Sequence, residues 1–250
     1  MKITEVLFLI AIVFGNAGAQ ERLSCTNFAV ARDGEVLFGN NEDGGISHPL
    51  QMDPLSAHLF YYPATEDEHG AVFVGWLWKS KSVSFQGGMN DQGLSYDLTG
   101  IPDTKMATHL DWLYRWDRDW VLYEVLRRNK NVEEAIAYLS QVDWGGHVWF
   151  QWFFTDSSGD MVVVSPKKGE LAFTRKPGNI DGFMIQTNFN RVNPSSHDGP
   201  YPCPRYEKSE HILGEAHDGS QLTIELALQV LEAVHRTRNY FTGYSNVFIR

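Results

Sequence analysis

Cys25 is the residue in this chain with the clearest capacity for chemistry. It opens a short apolar segment, Cys25 to Val30, which follows an apolar N-terminal region. A cysteine that becomes the first residue of a mature chain carries a thiol and a free α-amine on one residue. The thiol can act as the nucleophile and the amine as its base, so no histidine is required. The reference pKa of an α-amine, about 7.7–8.0, suits proton transfer near neutral pH.

The first 19 residues have the pattern of a secretory signal. Lys2 precedes an apolar run from Val6 to Phe14, and Ala17-Gly18-Ala19 forms an A-x-A cleavage site. The run is too short to cross a bilayer as a helix. We therefore expect a secreted or periplasmic protein without a stable membrane anchor. An uncleaved N-terminal anchor is the alternative.

Cleavage of that signal would leave residues 20–24 ahead of Cys25 as a short propeptide. The Cys25 thiol could attack the Ser24 carbonyl carbon and shift the acyl group to sulfur, after which water would remove the propeptide. The nucleophile and its base would then be made in a single step.

Length and composition favour one domain over residues 25–250. The chain has 250 residues, of which 43% are hydrophobic, and this is enough for one large core. No repeat, low-complexity tract or linker divides it. The strand pattern that begins at Tyr244 stops at Arg250, which indicates either a truncated sequence or a short edge strand.

The charge of the chain argues against two classes of partner. The formal net charge is −10, and the positive charges are scattered. Such a surface repels phosphate backbones and anionic lipids. We therefore expect neither nucleic acid nor a membrane surface as a partner. The sequence does not determine the oligomeric state, and a homo-oligomer remains open.

The strand and helix patterns predict an α+β fold. Asp33-Gly34 separates two β-prone segments, 26–31 and 35–38, and this predicts a hairpin headed by Cys25. A helix capped by Asn131 and a final helix carrying Leu222 to Val234 are also predicted. The order is strands, two helices, strands and a helix, which fits two antiparallel sheets flanked by helices, a four-layer αββα sandwich. The remaining strands are predicted at 71–78, 82–86, 95–98, 148–155, 160–165, 170–175 and 182–187.

Three further expectations concern segments with mixed signals. Residues 44–69 and 190–204 contain prolines and many polar residues, and they are predicted to be loops. Four aromatic residues recur at helical spacing, and this predicts a helix whose aromatic face packs on the core. They are Trp112, Trp116, Trp120 and Tyr123.

The two cysteines leave an alternative to catalysis open. Cys25 and Cys203 could form a disulfide in an oxidising compartment, and a disulfide sulfur is no nucleophile. Zincin, dithiol, nucleophile-elbow and P-loop patterns are absent, and the nine histidines show no ligand spacing. We therefore expect no metal and no cofactor.

Four segments, in this order, resemble the choloylglycine hydrolase family, which includes bile salt hydrolases and penicillin V acylases. The first is Cys25-Thr26 with its hairpin and the run Phe38-Gly39-Asn40-Asn41-Glu42-Asp43. The second, Gly88 to Leu94, is similar to the "MNEKGL" turn of that family. Gln186-Thr187-Asn188 and Pro204-Arg205-Tyr206 resemble its later "TN" and "SRF" segments. The resemblance implies the N-terminal-nucleophile (Ntn) hydrolase fold.

The same resemblance implies roles for four residues. Cys25 would be the nucleophile, with its own α-amine as the base, and Asp43 would hold that amine by a hydrogen bond. Asn188 would donate its side-chain amide to the oxyanion. Arg205 would lie near the thiol, favour the thiolate and bind the intermediate electrostatically.

Two positions depart from the family pattern. Asn40 stands where the family usually has arginine, and Gly100 stands where it often has asparagine or tyrosine. Both positions would contribute to substrate or oxyanion binding. Because the oxyanion donor at the second position is usually a backbone N–H, Gly100 would retain it. Neither bile salts nor penicillin V can therefore be carried over as the substrate.

Together these observations predict an exported amidase that acts on a linear, non-peptide C–N amide. Cys25 would form a thioester with the acyl part of a small N-acyl amide of bile salt or penicillin V type, and water would then hydrolyse it. An acyltransferase on the same scaffold is one alternative. A non-catalytic binding protein with a Cys25–Cys203 disulfide is the other.

Overall fold

The computed structural model describes most of the chain from Cys25 to Ile249. The ranges described are 25–45, 57–77, 83–108, 114–115, 118–176, 178, 181–197, 203–216, 222–237 and 240–249. The expected signal at 1–19 and propeptide at 20–24 lie outside these residues, as do Trp112 and Trp116.

Fifteen strands and four helices are present in the described ranges. In chain order the strands are β1 (Thr26–Arg32), β2 (Glu35–Gly45), β3 (Ala57–Tyr62), β4 (Ala71–Leu77), β5 (Val83–Asn90), β6 (Ser95–Met106), β7 (Tyr114–Arg115), β8 (Val142–Asp143), β9 (Gly146–Thr155), β10 (Met161–Lys167), β11 (Glu170–Lys176), β12 (Gly182–Gln186), β13 (Phe189–Asn190), β14 (Asn193–His197) and β15 (Tyr240–Ile249). The helices are α1 (Arg118–Arg128), α2 (Val132–Leu139), α3 (Pro204–Glu215) and α4 (Ile224–Ala233).

Two antiparallel sheets form the centre of the fold. The first, which we call sheet A, has the strand order β12-β1-β2-β15. The second, sheet B, has the order β11-β10-β9-β6-β5-β4-β3. Every strand pair of the two sheets is antiparallel. The short pairs β13-β14 and β7-β8 lie apart from both sheets.

Three hydrophobic clusters define four layers. Helices α1 and α2 pack on sheet B through Val121, Val125 and Leu139. Helix α4 and the end of α3 cover sheet A through Leu213 and Val230. The third cluster lies between the sheets, and it contains Ala29, Phe38, Phe153, Met184 and Phe248 among others. The predicted αββα sandwich is therefore confirmed.

Local sequence explains where several elements begin and turn. Asp33 and Gly34 both have positive φ, 50° and 81°, as the tight turn between β1 and β2 requires. Asn131 caps α2 by accepting a hydrogen bond from the backbone N–H of Glu134 at 2.9 Å, as predicted. Thr223 caps α4 in the same way, through the N–H of Leu226.

Some elements differ from the sequence-based prediction. Residues 57–62 form the edge strand β3 instead of part of a loop, and β6 continues to Met106. Residues 204–215 form α3, a helix that was not predicted and that begins at the last residue of the predicted loop 190–204; Pro204 lies in the first turn, where proline needs no N–H partner. Trp120 is 54% exposed, so the prediction that the aromatic face of α1 packs on the core is wrong at this residue.

Within the described ranges, no helix is long and apolar enough to span a membrane.

Candidate active site

The inner face of sheet A changes from apolar to polar towards Cys25. Met184, Ala29, Phe38 and Phe248 pair across the four strands and form an apolar row. Because side chains alternate along a strand, the next row on the same face lies two residues further on. That row consists of four amides, Gln186, Asn27, Asn40 and Asn246, and all of them are buried.

The third row contains the candidate nucleophile. Tyr244 of β15 pairs with Glu42 of β2, and continuing the β1 register by one residue sets Cys25 on the other side of Glu42. All three side chains are buried. The thiol of Cys25 therefore lies at the polar end of the space between the sheets, beyond the amide row.

Asp43 contacts Cys25 through its backbone and β15 through its side chain. Its N–H donates a hydrogen bond to the Cys25 thiol sulfur. Its Oδ1 accepts from the Thr242 hydroxyl at 2.6 Å. The side chain is fully buried. Asp43 is thus held beside Cys25 on β2, which continues to Gly45, beyond the predicted segment 35–38.

Arg205 and Asn188 form a hydrogen-bonded chain that ends on Cys25. Arg205 Nη1 donates to the Cys25 carbonyl oxygen and, at 2.8 Å, to Thr26 Oγ1. Arg205 Nη2 donates to Asn188 Oδ1 at 3.0 Å, and Asn188 Nδ2 donates to the Gly100 carbonyl at 2.8 Å. Three predicted site residues, from α3, from the segment after β12 and from β6, are therefore linked to Cys25 by hydrogen bonds.

Gly100 lies where β6 departs from regular pairing. It is the last residue paired with β9 before the register shifts, between Gly100 and Thr104. Its carbonyl is occupied by Asn188, as described above. A shift of this kind releases backbone groups from the ladder, which suits a position expected to offer a backbone N–H.

Asn40 lies deeper than a substrate-binding residue would. Its Nδ2 donates to Asn27 Oδ1 at 2.5 Å and to Asp97 Oδ1 at 2.8 Å. The side chain is completely buried, and both of its N–H groups are used in these bonds. Asn40 therefore has no donor left for a substrate oxyanion, contrary to the sequence-based expectation, and it joins sheet A to sheet B instead.

The environment of the thiol favours its protonated form. Burial raises the pKa of Cys25 well above its usual range, and the charges of Glu42, Asp43 and Asp97 raise this pKa further. The hydrogen bond from the Asp43 N–H acts in the opposite direction but does not offset them. This is the reverse of the thiolate that the sequence predicted beside Arg205, whose guanidinium contacts the backbone carbonyl of Cys25.

Three buried residues of the cluster were not predicted from the sequence. Glu42, Asp97 and Tyr244 surround the thiol, and each affects the pKa of Cys25 or is affected by it. A signal for Asp97 was present, because Ser95, Asp97 and Thr99 put polar residues on one face of a strand, and the structure buries all three. Glu42 and Tyr244 become neighbours only through the pairing of β2 with β15.

Both cysteines are free thiols. Cys203 is half-buried at the start of α3, and its sulfur lies 3.1 Å from Thr187 Oγ1. The disulfide of the alternative hypothesis is therefore not formed.

In the described part of the chain, no group of three or more His, Cys, Asp or Glu side chains is placed to hold a metal ion.

Comparison with known proteins gives matches at the level of structure. No family model and no curated protein sequence matches the chain. Two variant structures of conjugated bile acid hydrolase from Clostridium perfringens are similar, with TM-scores of 0.63 and 0.66 and identities of 16% and 15%. These matches cover 84% and 89% of this chain and 79% and 85% of those chains.

Penicillin V acylase from Agrobacterium tumefaciens is similar with a TM-score of 0.60 and 15% identity. This match covers 84% of this chain and 72% of that one. Both kinds of enzyme belong to the group that the four sequence segments resemble. The chain therefore has the fold of conjugated bile acid hydrolase and penicillin V acylase, as the resemblance implied.

Proposed function

We propose that this protein is an exported amidase that hydrolyses a linear, non-peptide C–N amide. The observation that carries the proposal is the hydrogen-bonded chain from Gly100 through Asn188 and Arg205 to the Cys25 carbonyl. It connects a side-chain amide and a cation to the residue that carries the buried thiol. The fold shared with two kinds of amide hydrolase supports the same reaction class.

The first chemical step needs a base, because the Cys25 thiol holds its proton. Once residues 20–24 are removed, the neutral α-amine of Cys25 accepts that proton as sulfur attacks the amide carbon of the substrate. The carbonyl oxygen then carries the negative charge. Asn188 Nδ2 has a second N–H beside the one it gives to Gly100, and this hydrogen can stabilise the oxyanion.

Collapse of the tetrahedral intermediate completes the acylation. The C–N bond breaks, the α-ammonium returns its proton to the leaving nitrogen, and an amine departs. The acyl group remains on sulfur as a thioester. Water then attacks the thioester carbon while the α-amine takes a proton from it, and the acid is released with the thiol restored.

The substrate class follows from the group of enzymes that share the fold. The similar proteins are named as a hydrolase of conjugated bile acids and an acylase of penicillin V, and both names describe small N-acyl amides. We propose a substrate of that general type. Because Asn40 is buried and bonded to Asn27 and Asp97, it offers no charge to a substrate, and the substrate panel decides the charge of the leaving amine.

Intact mass is the first test of the proposal. The exported protein and a Cys25→Ala variant are compared by mass spectrometry. We expect the unmodified chain to begin at Cys25 and the variant to retain Gln20 to Ser24. Both chains beginning at Gln20 would leave Cys25 without a free amine and would contradict the mechanism.

Activity is tested on a panel of N-acyl amides. The panel pairs apolar acyl groups with glycine, taurine, 6-aminopenicillanic acid and a neutral amine. We expect release of free acid from at least one member and none with Cys25→Ala. Transfer of the acyl group to an added amine in preference to water would favour the acyltransferase. Absence of any turnover by a correctly processed chain would favour the binding protein.

A further inference from the structure

Buried carboxyl groups are concentrated at Cys25 beyond what the resemblance accounts for. Asp43 has an implied role, but Glu42 and Asp97 have none, and they are 2% and 0% exposed. A buried carboxylate requires a counter-charge, a proton or several hydrogen bonds. The titratable and charged groups that face this point from β1, β2, β6, β15 and α3 are Cys25, Glu42, Asp43, Tyr96, Asp97, Tyr244 and Arg205.

Asp97 is only partly satisfied by its neighbours. Its Oδ1 accepts the hydrogen bond from Asn40, whereas its Oδ2 accepts none from any described residue. Burial raises the pKa of Asp97 well above its usual range, and the charge of Glu42 raises it further. Before maturation, burial and the neighbouring Glu42 therefore favour the protonated form of Asp97.

Tyr244 provides an independent observation at the same place. Its hydroxyl is buried, and it has no hydrogen-bond partner among the described residues. Its pKa is raised by burial first and then by Glu42, Asp97 and Cys25, so the hydroxyl faces the same cluster. A buried hydroxyl and a buried carboxylate oxygen thus converge near the start of β1 without partners.

We propose that Glu42 and Asp97 receive the α-ammonium group that Cys25 acquires on maturation. This inference rests on the proposed function, because it requires the chain to begin at Cys25. Hydrolysis of the Ser24–Cys25 bond consumes one water and leaves a carboxylate on Ser24 and an ammonium group on Cys25. The positive charge of this ammonium replaces the proton that Asp97 holds, which is released to solvent, and one ammonium then faces two carboxylates.

The neutral residue at position 40 is what allows this arrangement. A guanidinium there would lie within reach of Asp97 and would neutralise it permanently. Asn40 instead gives Asp97 one hydrogen bond and no charge. The negative charge of Glu42 and Asp97 is therefore available to pair with the α-ammonium of Cys25 in the mature protein. Glu42 and Asp97 act here as positioning residues for the α-amine, which must release its proton before it serves as the base of the proposed mechanism.

The test compares chains that can do no chemistry. Two chains carry Cys25→Ala, one beginning at residue 25 and one at residue 20, and their melting temperatures are measured from pH 6 to pH 10. An α-amine bound by carboxylates has a folded pKa above its unfolded value. Its stabilising effect is therefore complete below about pH 7.7, the reference pKa, and is lost as the pH rises through the folded pKa.

We expect the chain that begins at residue 25 to melt at the higher temperature at pH 6.5, and the excess to disappear by pH 10. Asp97→Asn and Glu42→Gln should each remove most of that excess. Glu124→Gln is the matched control, since Glu124 is also buried and has a raised pKa but lies on α1, away from the site. It should leave the excess unchanged.

The proposal would be overturned if the difference in melting temperature persisted in both Asp97→Asn and Glu42→Gln. It would also be overturned if Glu124→Gln reduced that difference by the same amount. If the two variants fail to fold, titration of the ¹⁵N-labelled α-amine in the chain beginning at residue 25 decides the matter. A pKa above about 8 supports the proposal, and a pKa at or below that reference value overturns it. Because these chains lack the thiol, the result is independent of any hydrolysis.

Discussion

Arg205 fixes the orientation of Asn188. Its Nη2 donates to Asn188 Oδ1 at 3.0 Å, so the amide oxygen faces the guanidinium and the amide nitrogen faces Gly100. A reversed amide would set two N–H donors against each other and an oxygen against the Gly100 carbonyl. The Arg205 guanidinium therefore has two effects. It brings a positive charge next to Cys25, and it orients the side-chain N–H of Asn188.

Replacing Arg205 with lysine should impair catalysis without unfolding the protein. Lysine keeps the charge but cannot reproduce the planar fork that reaches Cys25, Thr26 and Asn188 together. Loss of charged hydrogen bonds of this kind costs about 1.5–3 kcal/mol, or roughly 10- to 100-fold in kcat/KM. Steady-state kinetics checks this, with Arg128→Lys on the surface of α1 as the control. Equal activity of the two variants would contradict the role given to Arg205.

Asn188→Ala should lower kcat far more than it changes KM. The amide N–H is expected to bind the oxyanion, which exists only in the transition state and the intermediate. Removing one such donor typically costs about 10²–10³ in kcat. The measurement is kcat and KM on whichever substrate the panel identifies. An increase in KM at unchanged kcat would instead assign Asn188 to ground-state binding.

The parent chain for this prediction carries Cys25→Ala and retains residues 20–24. In it, Asp97→Asn should change the free energy of unfolding by an amount that depends on pH. The pKa of Asp97 is raised in the folded protein, so the protonated carboxyl group stabilises the fold at low pH. This stabilisation is lost as the pH rises from about 3.9, the reference pKa of the unfolded state, through the folded pKa. Asparagine does not titrate. Urea unfolding at pH 4, 6 and 8 should therefore show the variant gaining on the parent as the pH rises.

Ser140→Ala is the control for that series, because Ser140 is exposed and the change removes no titratable group. Its stability relative to the parent chain should stay constant over the same pH range. A constant difference for Asp97→Asn as well would mean that its carboxyl group is already charged in the folded protein at pH 4.

Gly39→Ala should destabilise the hairpin that carries Cys25. A Cβ at Gly39 would lie 2.4 Å from Cζ of Phe28, on the strand paired with it, and this aromatic ring is fully buried. Overpacking of this kind costs about 1–3 kcal/mol. Gly214→Ala in α3 is the opposite case, because a Cβ there meets nothing within 4 Å. It should be neutral or stabilise by up to about 1 kcal/mol, and chemical denaturation measures both variants.

The elements that follow local rules were predictable from the sequence. The Asp33-Gly34 turn, the Asn131 cap and the alternating strands 148–187 are each determined by neighbouring residues. Strand β3 was missed because it is a partly exposed edge strand inside segment 44–69, whose prolines and polar residues predicted a loop. Helix α3 was missed because the prolines before it were read as signals of a loop, although Pro204 begins the helix.

The burial of α1 shows the limit of periodicity. Trp120 and Tyr123 recur at helical spacing, but the face that packs on sheet B carries Val121, Leu122 and Val125. Trp120 stacks on Tyr123 at the surface. The aromatic residues were predicted to form the buried face of the helix because they are large and apolar. Which face is buried is decided by the contact with sheet B, which the sequence does not reveal.

The candidate site was predictable only where residues match a family pattern. Cys25, Asp43, Asn188 and Arg205 were named in this way, and the last two bond to each other. Asp97, Glu42 and Tyr244 were not, because their proximity to Cys25 depends on sheet pairing and sheet stacking. The role of Asn40 was misread for the same reason, since its partner Asp97 lies on the opposite sheet.

The position of β15 has a consequence for the timing of synthesis. The β1–β2 hairpin can pair as soon as it leaves the ribosome, but Thr242 reaches Asp43 across 199 residues of chain. Until β15 is made and paired, Glu42 lacks Tyr244 beside it and one edge of sheet A is open. The Cys25 thiol is thus among the first residues of the described fold to emerge, and its surroundings are completed only by β15. If Cys25 cleaves the chain as proposed, a ribosome-bound nascent chain that ends before Tyr240 should remain uncut.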